Sequence, residues 1–238
     1  MNKDNILFAI VGLLLGLIVG FMGANYINKN AAPAAGTLGP GANQMGLPPD
    51  HPAVQGQADP AAMQDVQAAI DAAEKQPDDF DSQVKAAELF FRIQRFDDAI
   101  KYYSRANQIR PDDYQVIVNL GNANFDAEKF TEAEKWYASA LEKKADDVNV
   151  RTDMGLTFLL REQKDVDRAI AEFVKSLEYD PKHALTLQNL VVAYTEKKDA
   201  AKATETLTRL EEVSPGNEVI PRLREAISKT SAPTQGSE

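Results

Sequence analysis

The chain has 238 residues, 36 acidic against 26 basic, for a formal charge of −10 at neutral pH. Residues 1–50 carry only Lys3, Asp4, Lys29 and Asp50, which cancel, so the acidic excess lies beyond them; this speaks against a nucleic-acid partner, whose phosphates need a basic patch. Cysteine is absent, which excludes disulfides, thiolate chemistry and Cys-type zinc sites.

After a five-residue tail (1–5), Ile6 to Ala24 runs for 19 residues without a charge. At about 1.5 Å per residue it spans roughly 28 Å as a helix, the thickness of a bilayer's hydrocarbon core. A cleaved signal peptide would need a shorter apolar core and small residues at −3 and −1, and cutting after Ala24 puts Met22 at −3. The stretch therefore reads as a single transmembrane anchor over 6–24. Lys3 and the terminal amine tip the orientation toward a cytoplasmic N-terminus, with the rest of the chain outside the cytoplasm. In a bacterium this means an inner-membrane anchor and a periplasmic domain. Within the span Gly12, Gly16 and Gly20 recur every fourth residue, a small-residue face through which two membrane helices can pack and self-associate.

Residues 25–58, rich in Ala, Pro and Gly, read as a flexible linker with a reach of roughly 30 Å. His51 lies among its prolines and reads as an exposed loop histidine. Asp59-Pro60 is a helix start, aspartate capping and proline in the first turn. Met63, Val66, Ile70 and Ala73 then make one apolar stripe of a capping helix within 59–77.

From Phe80 to Asp113 the pattern is two short amphipathic helices and a turn. Ala86, Ala87 and Phe90 share a stripe on the first, and Ala99, Tyr103 and Ala106 share one on the second. Phe96, Ala99, Tyr103 and Ala106 recur 34 residues on as Phe130, Ala133, Tyr137 and Ala140, then as Val166, Ala169, Phe173 and Ser176, then as Ala200, Ala203, Leu207 and Leu210. Pro111, Pro181 and Pro215 close three copies, and Ala145 stands at the other step. The first helices carry Leu120-Gly121, varied to Met154-Gly155 and Leu190-Val191, and alanine or glycine at a crossing suits a close approach of two helices. One such hairpin cannot bury its apolar faces alone, whereas stacked copies can. The copies occupy 80–113, 114–147, 148–183 and 184–217, the third with two extra residues around Arg161 to Asp167. Ile220, Leu223 and Ile227 mark a closing helix over 218–230, followed by a polar tail (231–238).

This pattern resembles the tetratricopeptide repeat (TPR) family, whose signature places Leu-Gly and an aromatic in helix one, then Ala, an aromatic and Pro in helix two. The resemblance implies an all-α solenoid of helix-turn-helix units wound as a right-handed superhelix. The aromatic usual near the start of helix one is Gln83, Ile117, Arg151 and Leu187 here, so weaker contacts are expected, at Arg151 most of all.

No catalytic chemistry is legible. Asp78-Asp79, Asp112-Asp113 and Asp146-Asp147 recur at the repeat length and read as helix caps, not metal ligands. His183 falls in the equivalent turn. Trp136, beside Tyr137, reads as packing. No Ser/His/Asp set, phosphate-cradling loop or HExxH is present. The chain reads as a non-enzyme without cofactor or metal.

The resemblance implies that one face of each first helix lines the concave side, where peptide partners of the family bind. Here that face carries Val84, Glu88 and Phe91, then Val118, Asn119, Asn122 and Phe125, then Leu156 and Leu159, then Val192. Asn119 and Asn122 match a carboxylate clamp found in some members, but Val84, Glu88 and Asp153 replace its other residues. The stripe suits an apolar segment of a protein or peptide partner; alternatively, several of these side chains only pack against the next repeat. The architecture resembles bacterial anchored TPR proteins that assist translocon clients or hold apocytochromes during maturation. A structural protein that self-assembles through its span and repeats is the rival reading.

Overall fold

The computed structural model describes residues 60–231, in which there are ten α-helices and no strand. They are α1 (Pro60–Lys75), α2 (Phe80–Arg92), α3 (Phe96–Ile109), α4 (Tyr114–Asp126), α5 (Phe130–Lys143), α6 (Val148–Leu160), α7 (Val166–Tyr179), α8 (Ala184–Glu196), α9 (Ala200–Val213) and α10 (Ile220–Ser231). The expected span 6–24 with Gly12, Gly16 and Gly20, the linker with His51, the cap Asp59 and residues 232–238 lie outside the described residues. Among the described residues no helix is long and apolar enough to cross a membrane.

The second aspartate of each recurring pair starts a helix. Asp79, Asp113 and Asp147 hold extended backbone, and their carboxylates accept from the N–H of Ser82 (2.9 Å), Val116 (3.0 Å) and Val150 (3.1 Å). Each such bond satisfies a donor that the first turn would leave unpaired. At the fourth step His183 takes the capping position without a side-chain cap, and its Nδ1 lies 2.6 Å from Thr186 Oγ1.

Three hairpins turn on three residues, and the middle one is left-handed: Gln94 (φ 61°), Glu128 (φ 60°) and Lys198 (φ 62°). Around the first, Gln94 N–H donates to Phe91 O and Arg95 N–H to Phe90 O, both at 2.9 Å. The same pair of bonds recurs around Glu128 and Lys198. This closes the helix C-terminus in the way glycine usually serves, here with no glycine. The third hairpin has five residues between α6 and α7, and Asp165 N–H reaches back to Phe158 O (2.9 Å) without a left-handed residue.

Packing follows sequence order, each helix lying on the next. The first helices form an inner row, since α6 also touches α8 and α8 touches α10. Within the hairpins, Gly121 faces the Tyr137 ring and Gly155 the Phe173 ring, and both rings are fully buried. The core falls into two clusters, Val66 to Ala123 and Ile117 to Ile227, and partly buried Trp136 packs against both.

Two buried polar side chains fill the usual aromatic position of helix one. Gln83 Nε2 donates to Ala73 O (2.7 Å) at the end of α1. Arg151, 4% exposed, donates to Ala145 O (2.8 Å), pairs with Glu172 (2.9 Å) and lies over the Tyr179 ring. The weak contact expected at Arg151 is thus replaced by an ion pair and a reach back to the preceding helix end. Between α6, α7 and α8, the hydroxyls of Thr152, Ser176 and Thr186 are mutually within 3.3 Å, and Thr152 and Ser176 both donate to Val148 O. Here a polar knot takes the place of apolar filling.

Candidate partner-binding groove

The inner stripe is most complete on α4. Asn119, Asn122 and Asp126 follow at spacings of three and four, so they share one face of the helix. The faces packed outward, Val116, Ile117, Leu120 and Ala123, are fully buried and hold this stripe toward the inner side. Asp153 stands on α6 where Asn119 stands on α4, and Asn189 occupies the same place on α8.

Tyrosines of the second helices hold both amides. Gln115 Nε2 donates to Asn119 Oδ1 (3.0 Å), and Asn119 in turn hydrogen-bonds the buried Tyr103 phenol, whose pKa burial raises. Tyr137, 1% exposed, donates its hydroxyl to Asn122 Oδ1 at 3.0 Å. That bond orients the Asn122 amide, since its oxygen is taken and its NH2 remains as donor. The sequence reading placed Tyr103 and Tyr137 only in the core; their hydroxyls also reach through it to the groove.

The acids next to these amides are electrostatically unusual. Burial pushes the Asp126 carboxyl up to about 6. Asp153 is pushed to about 7, first by burial and then by the negative charges of Asp126 and Asp147. Neither carboxylate has a hydrogen bond or ion pair among the described residues. Helix α4 contains no Lys or Arg, and Arg151, which alone is basic on α6, is committed to Glu172. Among the described residues there is no cluster of three metal-ligating side chains.

The expected groove residues divide. Glu88 is exposed, and Val84, Phe91, Val118, Asn119, Asn122, Phe125 and Leu156 are half-buried, open in part to a partner. Leu159 and Val192 are 2% and 4% exposed and belong to the core, so they pack between repeats and present nothing to a ligand. Phe91 and Phe125 are also used internally. Their rings sit edge-on to Phe96 (5.5 Å) and Phe130 (5.4 Å) across the hairpin turns. The signals missed by reading the stripe alone were Asp126 and Asn189, each about one turn from a residue already singled out, Asn122 and Val192.

The tetratricopeptide repeat family profile matches residues 94–152 and 160–227, and a second profile of the same description matches 60–114. The chain belongs to the tetratricopeptide repeat family. Solved TPR structures share its fold. YrrB, described as a TPR protein with an unusual peptide-binding site, is 19% identical over 69% of this chain and 84% of its own, with a TM-score of 0.61. MamA is 18% identical over 63% and 86%, with a TM-score of 0.58. MamA from Desulfovibrio magneticus RS-1 is 15% identical over 67% and 89%, with a TM-score of 0.60. At these identities the likeness speaks to fold. No curated protein matches the chain. TPR membership and a stack of helical hairpins with a half-open inner face support a scaffold for protein–protein contact.

Proposed function

We propose that this protein is a membrane-anchored TPR scaffold that holds a segment of a partner protein against its inner face, in an assembly or chaperone-like role. The observation that carries this reading is the half-open stripe on α2, α4 and α6, where apolar Val84, Val118 and Leu156 alternate with oriented amides. Apolar side chains left partly open beside hydrogen-bonding groups suit a peptide, which brings both side chains and backbone. Anchoring is supported by the uncharged run Ile6 to Ala24, and a non-cytoplasmic, periplasmic placement of the repeats by the weak charge bias around it.

The test is position-specific crosslinking in native membranes. A photoreactive residue at Leu156 should yield a discrete adduct, and one at exposed Lys175 on α7 should not. A Leu156→Ser chain should lose capture by a second inner probe at Asn122. Adducts at Lys175 alone, or capture indifferent to Leu156→Ser, would place the partner elsewhere.

A further inference from the structure

The inner face of α4, α6 and α8 holds groups that the apolar reading leaves without a role. Asp153 lies near enough to Asp126 to feel its charge, yet among the described residues neither has a cation or a donor. The nearest candidate on their own helices, Arg151, is spent on Glu172 at 2.9 Å. Beyond Asp153, Asn189 is 8% exposed, and its Nδ2 is buried with no hydrogen-bond partner. A buried amide N–H left unpaired costs free energy, which an incoming acceptor would recover once the side chain turns toward the groove. Asn122, its oxygen taken by Tyr137, presents its NH2 on the same side.

We infer that the groove of the second and third repeats receives a peptide segment carrying a basic side chain. The guanidinium or ammonium sits between Asp126 and Asp153, the amides of Asn122 and Asn189 donate to its backbone carbonyls, and the neighbouring apolar side chain rests on Leu156. The inference rests on the groove reading above and adds the charge of the occupant. Charge complementarity decides its sign: a cation relieves the repulsion between two carboxylates, whereas an acidic segment would add to it. Arginine fits best, since its planar fork can donate to two carboxylates at once.

The test uses the full-length chain in detergent micelles, panned against a displayed library of random dodecapeptides. Selected peptides should share one basic residue at a fixed distance from apolar ones. For a selected peptide made with Arg, Gln or Glu at that position, affinity should fall at least tenfold from Arg to Gln and vanish with Glu. The Asp126→Asn/Asp153→Asn chain should bind the Arg and Gln peptides alike. Selected peptides without a recurrent basic residue, or an unchanged Arg preference in the double variant, overturn the inference. In those cases a loss of binding in Leu156→Ser leaves the groove reading standing. Failure to select any peptide, or selected peptides that bind Leu156→Ser as well as the parent, overturns both.

Discussion

A methyl group placed on Gly155 would lie 2.5 Å from Cε1 of Phe173, in the face of a ring that is fully buried. The ring has nowhere to retreat, because α8 packs on the other side of α7. Gly155→Ala should therefore destabilise the repeats by about 1–3 kcal/mol, the usual range for overpacking. The same holds for Gly121→Ala against Tyr137. Combined with Phe173→Leu, the Gly155→Ala cost should shrink, giving a non-additive pair in urea denaturation. Strict additivity would show that the crossing is not close-packed.

The three left-handed turn residues make an opposite prediction. A side chain at φ near 60° costs free energy that glycine does not incur, although glycine is also freer in the unfolded chain. Glu128 and Lys198 are exposed, so little else is lost on replacing them. Glu128→Gly and Lys198→Gly should each stabilise by about 0.5–1 kcal/mol. Gln163→Gly, in the five-residue turn without a left-handed residue, should not. The comparison is a set of melting curves, and equal effects at 128 and 163 would refute the account.

Asp126 and Asp153 link stability to pH. Folding raises both pKa values from 3.8, to about 6 and about 7, so between these values the folded chain holds protons that the unfolded chain releases. Their contribution to stability is complete below pH 3.8 and is lost as pH rises through about 6 and about 7. Asp153→Asn is neutral throughout, so its advantage over the parent should be greater at pH 7.5 than at pH 4.5. A difference of about 1 kcal/mol corresponds to ~2–4 °C in Tm for a domain of this size. A constant offset across that range would mean that Asp153 ionises as freely folded as unfolded.

The hairpins were legible because their signals are local. Proline closing three of the four copies, an aspartate cap before three of the first helices and glycine at two of the crossings each act within one turn. All helical character and the family follow from them. The inner face was harder to read, because exposure there depends on neighbours one repeat away. Leu159 and Leu156 are both leucines on α6, yet Leu159 is sealed in the core while Leu156 stays half-open. Arg151 illustrates the same limit. Its charge argued for a loose contact, yet Glu172 and Tyr179, 21 and 28 residues on, make the burial workable. Asp126 fell outside the stripe as read, and nothing local distinguishes it from a solvated helix-end acid.

Because, among the described residues, each helix packs chiefly on its sequence neighbours, the stack is mechanically a coil. A small rotation at each interface adds along the coil, changing the distance from α2 to α8 while each joint stays close-packed. The two core clusters meet at half-buried Trp136. On the proposed function, gripping a partner segment would be a matter of pitch, adjusted by winding and not by a hinge.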